Sequence, residues 1–159
     1  MASNAEKALE LFKKRLGTTE GPGEWHQVDQ KQINLFADAT LDHQFIHVDV
    51  ERAKKGPFGA PIAHGFLTLS LLTHLQTTIK SADPGALSGL AAGINYGFDR
   101  VRFVSPVKVD SRVRASRELM TAEAAAPNVL QLKQKVTVEI EGEGRPACVA
   151  EWITRLVYT

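Results

Sequence analysis

The sequence predicts an α+β fold in which helices come first and an antiparallel sheet follows. Three observations predict it. Apolar residues recur at helical spacing through the first half of the chain, from Leu9, Phe12 and Leu16 to the run between Phe66 and Ile79. After Asp83-Pro84-Gly85 the pattern changes to four strand-like runs at residues 94–104, 107–119, 129–140 and 147–158. Turn-forming residues then separate the last runs, with Ala126-Pro127-Asn128 before the third and Gly142 to Pro146 before the fourth.

Taken in order, residues 5–16 form an amphipathic helix whose apolar stripe is broken up by Glu6, Lys7, Glu10, Lys13 and Lys14. Residues 17–24 read as a loop, and residues 25–28 as a short strand. Asp29 with Gln32 three residues on is a helix-starting arrangement, in which the aspartate accepts from backbone N–H groups. Ile33, Phe36, Ala37 and Thr40 then fall on one face, and this helix is expected to stop near Thr40. Residues 66–79 form the strongest helix, with Leu and Phe nearly all the way round, so burial on most sides is expected. The cleanest strand is residues 129–140. There Leu130, Leu132, Val136, Val138 and Ile140 alternate with polar residues, and Gln134 is the one break in the apolar set. The apolar helix is the natural partner for the dry face of that sheet.

Composition narrows the function. A chain of 159 residues, 43% hydrophobic and 23% charged, is one ordinary globular domain and is long enough to bury a core without staples. Lys+Arg 19 against Asp+Glu 18 leaves +1, scattered rather than clustered, which argues against nucleic acid and against a polybasic membrane anchor. Cys148 is the single cysteine, so an intrachain disulfide and a Cys-rich zinc site are both excluded. The N-terminus lacks the apolar run of an export signal, and no stretch approaches the roughly 20 apolar residues of a membrane span. A cytoplasmic, reducing setting is expected.

Serine-hydrolase elbows and phosphate-binding glycine loops are missing. Gly89, Gly93 and Gly97 lack dinucleotide-binding spacing, and Cys148 has no basic neighbour to activate it. The concentration of chemistry is residues 38–47, with Asp38, Asp42, His43, Gln44 and His47 in ten positions. His43 and His47 are four apart, a zinc-compatible helical spacing, but the chain lacks a second-helix glutamate motif to complete a site. Asp42 and His47 are five apart. On one continuous helix they would point about 140° away from each other, so they converge only if the chain turns near residues 40–42. A carboxylate facing a neutral imidazole can orient and deprotonate a water. The competing reading makes Asp42 a turn cap and His47 a surface histidine. Gly56-Pro57-Phe58-Gly59-Ala60-Pro61 then runs through His64-Gly65 into the apolar helix, and glycine there lets a substrate oxygen approach the first N–H groups.

These segments carry a resemblance. D-H-Q-F-I-H, V-D-V-E-R-A and G-P-F-G-A-P-I-A-H-G-F-L-T-L-S-L-L are similar to the MaoC-like (R)-specific enoyl-CoA hydratases, whose pattern is D-x-N-P-[LIV]-H-x5-A. Asp42, Ile46, His47 and Ala53 match it, and V-R-F-V-S-P-V at residues 101–107 resembles a later strand and turn of the family. Gln44 and Phe45 stand where the family has Asn-Pro, and Leu41 where it commonly has glycine. The sequence is most like the small mycobacterial-type hydratases and the nodulation protein N-like proteins, from about residue 25 to the end. The resemblance implies a single domain over residues 1–159, with residues 1–23 an N-terminal helix and loop. Its fold would be a hot-dog, a curved antiparallel sheet wrapped around a long central helix. It implies reversible hydration of a trans-2-enoyl-CoA to the (3R)-hydroxyacyl-CoA, with Asp42 as base and His47 on the same water. The Gly65 N–H would polarise the thioester, with Gln44 and His64 as further substrate-binding residues. It implies no metal or other cofactor, an acyl-CoA substrate, and a homodimer paired edge to edge. A hot-dog thioesterase and a non-catalytic acyl-CoA-binding protein remain open as alternatives.

Overall fold

The computed structural model describes residues 2–159. Helix α1 (Asn4–Lys13) starts at a reciprocal cap, in which Ser3 Oγ accepts from the Glu6 N–H at 3.2 Å and the Glu6 carboxylate accepts from the Ser3 N–H at 2.7 Å. Strands β1 (Thr19–Glu20) and β2 (His26–Gln27) follow, then α2 (Gln30–Thr40), capped by Asp29 accepting from the Gln32 N–H at 2.8 Å. Short helices α3 (Phe45–Val48) and α4 (Val50–Lys54) lead to the central helix.

The central helix is present, in consecutive pieces: α5 (Gly65–Ser70), α6 (Leu72–Leu75) and a 3₁₀ turn, Gln76–Thr78. Its threonines explain the interruptions. Thr73, Thr77 and Thr78 hydroxyls donate to the carbonyls of Ser70, His74 and Leu75, competing with the backbone ladder. Leu67, Leu71, Leu72, Leu75 and Ile79 are buried, but Phe66 is 67% exposed, so the helix is dry on one side rather than all round. Phe66 packs edge-on to Phe103 instead, with ring centres 6.0 Å apart.

A second 3₁₀ turn, Pro84–Leu87, precedes β3 (Leu90–Phe103), β4 (Arg112–Ala126), β5 (Val129–Ile140) and β6 (Cys148–Tyr158). These form one curved antiparallel sheet in the order β1-β4-β5-β6-β3, with β2 also on β4. The expected strand at 107–119 begins later and runs longer, because a turn with Asp110 at φ +67° separates Val107 from Arg112. The expected loop at 17–24 contains β1, a two-residue strand too short to show alternation in the sequence. The turn at Pro127-Asn128 and the glycine turn after Ile140 stand where expected, with Asn128 and Gly142 at positive φ.

The core lies between the central helix and the inner faces of β4 to β6. There Val113, Ala115, Val136, Val138, Ala150 and Trp152 meet Leu67, Leu72 and Leu75. Burying each such aliphatic side chain is worth about 1.5–3 kcal/mol. Along β5 the even-numbered residues from Leu130 to Ile140 are all buried, and Gln134 keeps the phase at 8% exposure. Among the described residues no helix is long and apolar enough to cross a membrane.

Candidate active site

Helix α2 ends at Leu41, which sits in the left-handed region at φ +63° and is 82% exposed. That residue turns the chain between the candidate carboxylate and imidazole. Asp42 leaves in an Asx-like turn, its Oδ1 accepting from the Gln44 N–H at 3.4 Å. The next residues rewind as α3, which carries His47 inward to 7% exposure.

His47 is held at both ends. Its Nδ1–H donates to the Ile62 carbonyl at 2.7 Å, which leaves Nε2 as the acceptor, and its own carbonyl accepts from Gln30 Nε2 on α2 at 2.8 Å. Burial pushes the His47 pKa below its ordinary 6.5. The Ile62 carbonyl works against that shift, His64 adds to it, and Asp42 opposes it. The ring is therefore neutral at pH 7 and able to accept a proton.

His64 is buried at 2% exposure and lies directly against this pair. Its ring stacks on His47 with centres 3.8 Å apart and planes 24° apart, and Phe36 packs on it at 5.0 Å. His64 Nε2–H donates to the Asp42 carbonyl at 2.9 Å and lies 4.0 Å from Asp42 Oδ2, while Nδ1 is buried without a partner. These contacts hold the His64 ring against Asp42 and His47.

One polar atom from each of Asp42, His47 and His64 lies within 4.8 Å of the other two. Two hydrogen bonds of about 2.8 Å meeting at a tetrahedral oxygen span roughly 4.6 Å. All three atoms therefore lie within reach of one bridging water. The same donor set fits a metal ion poorly, because the two stacked rings lie in nearly parallel planes. A metal about 2.0–2.1 Å from each nitrogen has to lie in both ring planes. His43, the other member of the four-residue histidine spacing, is on the surface, paired with Asp38 at 2.8 Å.

Gly65 opens α5 beside this cluster, and its N–H has no acceptor among the described residues. A Cβ at Gly65 would sit 2.9 Å from the Phe103 ring, so glycine is what lets that ring cover the helix start. Gln44 caps α3 through its backbone, its carbonyl accepting from the His47 and Val48 N–H groups, while its side chain is exposed and makes no hydrogen bond among the described residues. Cys148 is buried in β6, and burial pushes its thiol up to about 11, which keeps it inert. Sequence reasoning missed the contacts made by Gln30, the Ile62 carbonyl, Phe36 and Phe103, because each is a tertiary contact that leaves no local signal.

A curved antiparallel sheet around a central helix, with a carboxylate and two imidazoles gathered at the start of that helix, defines a hot-dog protein. Residues 12–140 match the family model of the MaoC like domain, and the chain belongs to that family. It is 49% identical over 141 residues to 3-hydroxyacyl-thioester dehydratase Z of Mycobacterium tuberculosis, covering 89% of this chain and 90% of that protein. It is 51% identical over 150 residues to nodulation protein N of Rhizobium leguminosarum bv. viciae, covering 94% and 91%. Among solved structures, an R-hydratase from Pseudomonas aeruginosa superposes with TM-score 0.64 at 20% identity, over 91% of this chain and 83% of that one, and shows the shared fold.

Proposed function

We propose that this protein hydrates trans-2-enoyl-CoA thioesters reversibly to (3R)-hydroxyacyl-CoA. The observation that carries the proposal is the gathering of Asp42 with the buried His47, one polar atom from each lying within 4.8 Å of the other beside the start of the central helix. Support comes from the relative at 49% identity, whose name describes a dehydratase of 3-hydroxyacyl thioesters, the same reaction in reverse. Asp42 acts as base, taking one proton of the water as its oxygen bonds to Cβ, while His47 Nε2 accepts the water's other O–H and holds it in place; the proton on Asp42 then passes to Cα on the same face. The carboxylate and imidazole end as they began, and one H and one OH have added across the double bond. The free Gly65 N–H donates to the thioester oxygen and stabilises the charge that develops there. Gln44 lies at the mouth as a substrate contact, and His64 supports the pair from behind.

We read residues 1–159 as one domain, because α1 packs Ala5 and Ala8 against Leu130 and Tyr158 of the sheet. The sealed thiol of Cys148 suits a reducing, cytoplasmic setting. A homodimer formed along β3 is also part of the proposal. That strand ends the sheet as a long open edge bearing exposed Ile94, Tyr96 and Phe103, whereas the opposite edge is blunted by two-residue strands. Light scattering at micromolar concentration should give twice the chain mass, and a monomeric mass with activity retained would refute the dimer.

Crotonyl-CoA tests the reaction. Loss of enoyl absorbance without free thiol is the expected result. Thiol release would make the protein a thioesterase, and neither signal would leave an acyl-CoA-binding protein.

A further inference from the structure

The far end of the central helix holds a cavity of about 520 Å³ that the hydration proposal does not use. Its volume is typical of small-molecule pockets, which run about 300–1,000 Å³. The closing turns of the helix, α1 and the inner face of the sheet enclose it. Leu11, Phe12, Ile79, Leu119, Leu132 and Leu156 supply its apolar wall, and neither Asp42, His47 nor His64 lines it.

Two residues of that wall do not belong on a dry face. Gln134 and Thr154 are each only 8% exposed, and both line the cavity. Neither side chain is hydrogen-bonded among the described residues, yet neither is sealed in apolar packing, so their polar atoms open onto the cavity. In the sheet register Gln134 opposes Trp152 and Thr154 opposes Leu132, which makes Gln134 and Thr154 diagonal neighbours on one face. One ligand oxygen between them can accept from the amide while donating to, or accepting from, the hydroxyl.

Charge at the rim selects the kind of oxygen. Arg117 donates to Glu20 at 2.8 and 2.9 Å, and Arg15 lies 3.6 Å from Glu20 and 3.3 Å from Asp83. Two guanidiniums against two carboxylates leave no net charge for a ligand to neutralise. The structure assigns this cavity to an aliphatic chain bearing one uncharged oxygen function, a hydroxyl or a ketone, read by the Gln134 amide and the Thr154 hydroxyl. Such a chain has two sources: the acyl part of a thioester whose head is at Asp42 and His47, or a separate fatty molecule.

Calorimetric titration of the full chain with decanoate, 6-hydroxydecanoate and 10-hydroxydecanoate tests the assignment. At least one hydroxylated chain should bind roughly tenfold more tightly than decanoate, the worth of one or two net hydrogen bonds. Thr154→Val and Gln134→Leu should each reduce that preference while leaving decanoate binding intact, and their melting temperatures should hold or rise. Thr154→Val is nearly isosteric and carries the test alone if Gln134→Leu does not fold. Equal affinities in the wild type, a preference that survives both substitutions, or no binding at all would overturn the assignment. The sources separate by competition. If the hydroxylated chain displaces a long-chain acyl-CoA in the same calorimeter, the cavity holds the acyl part. If both bind together, the ligand is a separate molecule. Heat rather than turnover is measured, so failure of the hydratase proposal would leave this result standing.

Discussion

At the start of the central helix, Asp42, His47 and His64 are tied down by backbone: His47 to the Ile62 carbonyl, His64 to the Asp42 carbonyl, and the two imidazoles to each other by stacking. At its far end Gln134 and Thr154 face open space with no partner among the described residues. In the first region the two imidazoles are fixed before any ligand arrives, the pre-organisation that the proposed chemistry requires. The second keeps unspent hydrogen bonds, as recognition requires. One helix thus separates a rigid end from a receptive one.

Gly65→Val should break the rigid end most severely among single changes at the helix start. It crowds the thioester position and displaces the half-exposed Phe103 ring, and losing one such donor typically costs about 10²–10³ in turnover. Circular dichroism should show the variant folded, and near-normal turnover would remove Gly65 from the mechanism. His64→Phe keeps an aromatic ring against His47 but deletes the bond to the Asp42 carbonyl. Its kcat should fall roughly tenfold, as expected when a reacting group is misplaced, with KM little changed. Removing the unpartnered buried Nδ1 should leave the melting temperature no lower.

The pH response sharpens the same region. Burial lowers the His47 pKa in the folded chain, so between that value and 6.5 the unfolded chain binds a proton that the folded chain does not. Stability should therefore be full above 6.5 and fall as pH drops through it, and His47→Gln should flatten that slope in melting curves. The acid limb of kcat that belongs to His47 should lie below 6.5. Leu41→Gly is the smallest change. It relieves a left-handed conformation, worth roughly 1–2 kcal/mol to a side-chain-bearing residue, at a position 82% exposed. Part of that gain is offset by glycine's own backbone entropy, so the melting temperature should rise by about 2–4 °C with activity within a few-fold.

The contrast between the two ends also explains what the sequence showed. The Asp42–His47 segment and the helix start at Gly65 are each contiguous, and the turn at residues 40–42 needed for convergence was readable from where the α2 stripe stops. Strand β5 was readable because its alternation is unbroken in phase, even through Gln134. The cavity was not readable, since its wall is drawn from α1, the central helix and five strands, and Gln134 looked merely like a lapse in a pattern. The surroundings of His64 were not readable for a similar reason, since its stack on His47 and its bond to the Asp42 carbonyl are tertiary contacts. The interruptions of the central helix follow from threonine side-chain bonds, which leucine periodicity does not report.

The central claim, one water shared by Asp42 and His47, is tested most directly by a double-mutant cycle on crotonyl-CoA hydration. Asp42→Asn and His47→Gln should each reduce turnover by at least about 10²–10⁴, the usual worth of general-base assistance. The double variant should be little worse than the poorer single one, because losing either partner leaves the other with nothing to position. His43→Gln, on the surface beside Asp38, should stay within a few-fold of wild type. Additive losses, or a folded Asp42→Asn that keeps most of its turnover, would contradict the account.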